Sequence, residues 1–161
     1  MLQRIQTLYI LLAILCLLVA FFVPAFIFHP TGTEGAPISI YTCRVETGDM
    51  PIIGASAMLA GWSYASASAH TLALLVAALA LISFKKRPLQ IRLLSLVNLF
   101  AFLTLGLSSY LYVKFSGSGS QLLTGLHLGA ALLIATVLFN LFAIHNIRRD
   151  EKLVRSMDRL R

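Results

Sequence analysis

The chain has 161 residues, 58% of them hydrophobic and 12% charged, with a formal net charge of +7. Soluble domains sit nearer about 45–50% apolar and about 25% charged, and the mean hydropathy of +0.86 points the same way. The composition therefore excludes a soluble globular domain, a disordered chain, a coiled coil and a collagen-like repeat. The charges are also clustered, leaving uncharged stretches at Ile5–Thr33, Pro51–Phe84, Leu93–Val113 and Phe115–Ile147. A helix needs ~20 mostly apolar residues to cross a ~30 Å hydrocarbon core, so each stretch holds one crossing. The expected architecture is an all-α, four-helix transmembrane up-down-up-down bundle forming a single domain.

Span one is expected over 8–28, following Arg4. Its apolar run is longer than the h-region of a signal peptide, and Leu15 stands before Cys16 where a lipoprotein cleavage site would need a small residue. It reads as a retained span, with Pro24 bending or ending the helix. An outward loop over 29–60 follows, opening on the turn chemistry of HPTGTEGAP. The segment ISIYTCRVET then has the β-branched and aromatic content of a short strand or hairpin arm. Cys16 and Cys43 form no CxxC and no zinc spacing, and they lie at different depths, which leaves Cys16 a buried, inert thiol.

Span two covers 61–84 and begins with Trp62 and Tyr64, rings suited to the headgroup level. Lys85, Lys86, Arg87, Pro88 and Arg92 form a short basic turn. Span three covers 93–113 and ends on Tyr110 and Tyr112; Lys114 and SGSGS then link to span four at 122–147. The tail over 148–161 keeps a helical period, with Leu153, Met157 and Leu160 on one face. With four spans, 11 of the 13 basic residues fall on the side of the termini, against Arg44 and Lys114 on the other. The positive-inside rule then makes both termini cytoplasmic. The same rule accounts for the basic balance without a nucleic-acid partner.

Three segments carry a resemblance: the opening MLQRIQTLYILLA, the turn KKRPLQIRLLSLVNLF and the tail RRDEKLVRSMDRLR. Together they resemble a family of small four-span inner-membrane proteins from Bacteroidota, domain of unknown function 4293. The resemblance covers essentially the whole chain and implies a bacterial cytoplasmic-membrane address. It brings no catalytic or binding residues and no cofactor.

The residues themselves offer few chemical leads. Asp, Glu, Lys and Arg are absent from the spans, and membrane-buried charge is what usually marks ion paths and proton relays. This counts against a small transporter. There is no GxSxG, HExxH, P-loop or CxxC, so no catalytic residues are assigned. His70 and His127 fall in the outer halves of spans two and four, about a turn apart in depth, and imidazole ligates zinc, copper or haem iron. No carboxylate stands near them to complete a zinc set. His145 lies ~27 Å along the helix from His127, too far to join them.

Other features read as packing. Asn98 and Asn140 lie in the inner halves of spans three and four, where an amide clasp stabilises a bundle by ~0.6–2 kcal/mol. Gly61, Ala65, Ala69, Ala73 and Ala77 recur every fourth position on span two, and Gly125 and Gly129 form a GxxxG pair on span four. Such small residues let helix backbones approach closely, within the chain, in a homodimer, or against a larger membrane complex. They lead to the expectation that spans two and four make the closest helix contact. Lys85, Lys86, Arg87, Arg92, Arg148, Arg149, Lys152, Arg155 and Arg159 are the lipid- or partner-facing cations, suited to anionic head groups. The leading functional expectation is a non-enzymatic accessory or assembly subunit; the rivals are a redox or metal/haem-binding membrane protein and a small transporter.

Overall fold

The computed structural model describes residues 2–28, 38–42, 44–47, 50–51, 57–116 and 123–158. The expected turn at HPTGTEGAP, Cys43, the SGSGS link, Arg159 and Leu160 lie outside the described residues. Four long helices dominate: α1 (Leu2–Phe22), α2 (Ala57–Ile82), α3 (Arg87–Ser116) and α4 (Leu128–Asp158). Each contains a window long and apolar enough to cross a membrane: Ile5–Phe22, Gly61–Ile82, Arg87–Val113 and Leu128–Val154. Their outward faces carry Leu8, Leu15, Leu75, Leu99, Phe102 and Leu138, all exposed. An apolar surface of that extent would be a liability in water and is the expected solvent face in lipid.

The helices form a ring in which α1 packs most extensively on α4 and α2 on α3, with α3–α4 and α1–α2 closing the remaining sides. Spans two and four therefore sit diagonally, and the expectation that they make the closest contact is corrected. The reason is geometric. At 3.6 residues per turn, each step of four walks about 40° around a helix, so Gly61 points roughly 160° away from Ala77. Ala69, Ala73 and Ala77 are buried, whereas Gly61 and Ala65 face outward.

Span one is shorter than its apolar stretch. Proline lacks the N–H that a helix needs and disfavours helical geometry in the residue before it, and α1 stops at Phe22, just before Val23–Pro24. The chain turns there into β1 (Phe26–Phe28). The expected hairpin follows as β2 (Ile38–Ile40) and β3 (Val45–Thr47), with Ile40 opposite Val45 and Ile38 opposite Thr47. Two short strands complete the sheet: β4 (Met50–Pro51) and β5 (Leu123–Leu126). The order is β4-β3-β2-β1-β5, with every pairing antiparallel.

The strand β5 was not foreseen and shortens span four to begin at Leu128. Phe26 pairs with Leu126 and Ile27 with Thr124, which makes Gly125 the extra residue of a bulge. Gly125 and Gly129 thus belong to a strand and a helix, and they form no helical GxxxG ridge.

Buried apolar residues stack in three layers along the bundle. The layer beside the sheet, termed outer for that end of the bundle, joins sheet to helices through Ala25, Phe26, Ile40, Val45, Leu111 and Ala130. The middle layer holds Leu17, Ala20, Ala73, Ala77, Val97 and Leu133. The layer at the opposite end, termed inner, holds Ile10, Ala80, Leu94, Ala143, Ile144 and Ile147. Aromatic rings brace the outer end, with Phe26 stacked on Tyr112 at 5.0 Å and Trp62 against Tyr110 at 4.5 Å.

Candidate functional site

The chemistry-bearing side chains inside the bundle form a set of ties between helices. Near the outer end, the hydroxyls of Ser66 on α2 and Ser108 on α3 lie 3.4 Å apart. One turn deeper on the same face, His70 is fully buried and its Nε2 lies 3.0 Å from the Leu17 carbonyl of α1. A carbonyl only accepts, so Nε2 donates, and Nδ1 in the neutral ring carries the lone pair. Nδ1 has no hydrogen-bond partner, and the ring leans on Phe21 at 5.7 Å. In the inner half, Asn140 Nδ2 of α4 donates to Asn98 Oδ1 of α3 at 3.0 Å. Buried Thr104 and Thr136 donate to the carbonyls four residues behind them, at Phe100 and Leu132.

Two further ties close the inner end. Gln90 of α3 reaches back to the Ala80 carbonyl of α2 at 3.2 Å. Gln6 of α1 donates to Asp150 of α4, with both side chains buried. Asp150 sits between Arg149 and Glu151, which hid it from a search for uncharged spans, and Gln6 lies two residues before the expected start of span one at Leu8. Periodicity could have found the acid: Asn140, Ala143, Ile147 and Asp150 follow one another at steps of three and four, all buried. The interior face of α4 simply runs on past Arg148 and Arg149, which are exposed.

A separate set of bonds locks the outer corner. Breaking α1 at Pro24 leaves carbonyls without helical partners, and starting α4 leaves N–H groups in the same position. They meet: His127 N–H donates to the Ala25 carbonyl and Gly129 N–H to the Pro24 carbonyl, both at 3.1 Å. A Cβ on Gly129 would lie 2.7 Å from the carbonyl oxygens of both Val23 and Pro24, so this approach requires glycine. The close contact expected of Gly129 exists, but its partner is the chain corner after α1.

The histidines are placed apart. His70 stands level with Leu17, while His127 caps the start of α4 level with Ala25; the last five residues of α1 and the Pro24 corner separate them. His145 is exposed on α4, and His29 lies outside the described residues. Among the described residues, no group of three or more His, Cys, Asp and Glu side chains is arranged to hold a metal ion. Among the described residues, the buried polar atoms without a hydrogen-bond partner include His70 Nδ1, Asn140 Oδ1 and Asp150 Oδ1 within the bundle, and Thr42 Oγ1 in the turn after β2. From Asn140 to Asp150 the helix rises about 15 Å, so these groups do not converge on one centre.

The cations collect at the opposite end from the sheet. Lys86, Arg92, Arg148, Arg149 and Lys152 are exposed and Arg87 is half-buried. On the sheet, Arg44 pairs with Glu46 and lies 4.6 Å over the Tyr41 ring.

Four apolar helices joined around an interior of inter-helix ties, with a small sheet at one end, define a multi-pass helical membrane protein. The chain belongs to the family described as domain of unknown function (DUF4293), whose model matches residues 2–160. No curated protein matches it.

Proposed function

We propose that the protein is a non-enzymatic accessory or assembly subunit of a bacterial inner-membrane complex, with both termini cytoplasmic and the sheet facing outward. The observation that carries this reading is the use made of the interior polar groups. Ser66, His70, Gln90, Asn98, Asn140 and Gln6 each bond to a neighbouring helix, at separate levels. That is how polar side chains act as packing glue in membranes, and it leaves the two ends and the lipid-facing surface for recognition. Gly61 and Ala65, turned outward on α2, offer a low surface on which a partner helix or a second copy can lie. The charge asymmetry supports the orientation, since 11 of 13 basic residues lie on the side of the termini.

Purification of tagged protein from its own membranes in mild detergent tests the reading, with co-purifying proteins identified by mass spectrometry. Stable partners in stoichiometric amount are expected, and a lone 17.6 kDa species in every detergent refutes it. A metal- or haem-binding role keeps one observation in its favour, the unpartnered Nδ1 of buried His70. A colourless, metal-free, folded preparation from native membranes refutes that alternative.

A further inference from the structure

The first turns of α3, the Lys86 turn before it and the far end of α4 enclose an open groove of about 560 Å³, lined by Lys86, Arg87, Pro88, Leu89, Arg92, Glu151 and Val154. Its location is set by the fold. The turn follows the membrane window of α2, which ends at Ile82, and Glu151 and Val154 lie at the end of the α4 window. They stand about 34–39 Å along α4 from Leu128 at 1.5 Å per residue, beyond a hydrocarbon core of ~30 Å. The groove therefore opens at headgroup depth, at the end of the bundle opposite the sheet.

Its lining has two characters. Three cations face one carboxylate, a net of +2. Leu89 and Val154 are 41% and 40% exposed in the same walls, and Ile82 and Phe84 of the adjoining turn are more exposed still, at 71% and 57%. A soluble anion has no use for such an apolar flank, whereas a phospholipid brings a phosphate and acyl chains joined at the same depth. Arg adds a planar fork that pairs two phosphate oxygens at once. The volume is in the range of small-ligand clefts and suits a phosphoglycerol head group.

We propose that this groove is a specific site for an anionic phospholipid, its phosphate held by Lys86, Arg87 and Arg92 and its chains lying along Leu89 and Val154. Basic pockets between transmembrane helices on the cytoplasmic side are suited to such head groups. The proposal rests on the membrane reading and is independent of the subunit proposal, because the isolated chain suffices to test it.

The experiment uses the purified full chain in neutral detergent. Its melting temperature is followed during titration with phosphatidylglycerol, phosphatidylcholine or inorganic phosphate, and bound lipid is read by native mass spectrometry. A saturable rise with phosphatidylglycerol alone is expected. The pair Lys86→Gln and Arg92→Gln should weaken it about 25-fold, at about fivefold for each cation near the membrane surface. The pair Arg148→Gln and Arg149→Gln removes the same charge from exposed positions outside the groove and should leave the affinity within about twofold. Glu151→Gln raises the net charge of the groove and should tighten binding, which gives a readout of opposite sign should the groove pair fold poorly. Equal weakening by both arginine-containing pairs, equal shifts with phosphatidylcholine, or the same shift with inorganic phosphate would each overturn the proposal. So would unchanged affinity in Glu151→Gln.

Discussion

The junction of Gly129 with the Val23–Pro24 corner makes the sharpest prediction. In Gly129→Ala the new Cβ sits 2.7 Å from two carbonyl oxygens. Ordinary contact begins near 3.4 Å, so full relief requires the corner to open by about 0.7 Å. Neither oxygen can rotate away, because both belong to backbone held by Pro24 and by the adjoining bonds of Ala25 to Ile40 and His127. Opening by that amount lengthens the Gly129–Pro24 bond from 3.1 Å to roughly 3.5 Å, past the usual hydrogen-bonding range. Loss of that bond costs about 0.5–1.5 kcal/mol and overpacking about 1–3 kcal/mol. Alanine returns at most about 1 kcal/mol of helix propensity. The net is a destabilisation of about 0.5–4.5 kcal/mol, or a fall of about 1–18 °C in Tm for a protein of this size. Gly106→Ala is the matched control: a Cβ there meets nothing within 4 Å, so the same exchange should stabilise by up to about 1 kcal/mol. Thermal melting of both variants in one detergent reads the two signs together. Should Gly129→Ala melt at or above the parent temperature, the close approach of α4 to the corner is wrong.

The amide pair between α3 and α4 should show coupling: Asn98→Leu and Asn140→Leu each lower stability by about 0.6–2 kcal/mol, and the double variant should lose less than the sum. Additive losses in a thermal double-mutant cycle would mean the two amides do not touch. At the inner end, Asp150→Ala should cost about 1–3 kcal/mol by leaving buried Gln6 without its acceptor, whereas Arg149→Ala, at an exposed position, should stay within about 0.5 kcal/mol. Equal effects would place Asp150 on the surface. For orientation, a membrane-impermeant maleimide added to cells with a permeabilised outer membrane should modify Cys43 and spare Cys16. Labelling of Cys43 only after the inner membrane is breached would reverse the topology.

Much of this architecture was legible because lipid imposes length and apolarity on a spanning segment, and both can be read directly from Leu8–Phe22, Gly61–Ile82 and Leu93–Val113. What escaped was the ends of spans. Residues 26–28 and 123–126 are as apolar as a helix in this solvent, so apolarity alone could not separate Phe-Ile-Phe in β1 or Leu-Thr-Gly-Leu in β5 from the helices they adjoin. Pro24 carried the needed signal, and of the two expected effects, bending or ending the helix, it has the second. Small residues misled for a different reason: a spacing of four identifies a ridge but not its azimuth, and the ridge on α2 turns outward before reaching Gly61. The interior polar set was half visible. Asn98 and Asn140 stood out against apolar neighbours, while Gln6 fell just ahead of the expected first span and Asp150 among the charges of the tail.

The pairing of β1 with β5, and of the Pro24 corner with the start of α4, also orders events in time. The helices α2 and α3 are joined by a short turn and can associate as soon as both have been inserted. The corner after α1 cannot: its carbonyl acceptors and one edge of β1 wait for residues 123–129, about a hundred positions later in synthesis. Contacts so distant in sequence form late, since the chain between them must first be made and its closure entropy met. During that interval the first helix has α2 and the strand β2 beside it, but the Pro24 and Ala25 carbonyls at its outer end still lack their α4 donors. That end is the point at which a nascent chain would be most open to capture by a chaperone, a protease or another subunit, and α4 seals it only when its own first turn arrives.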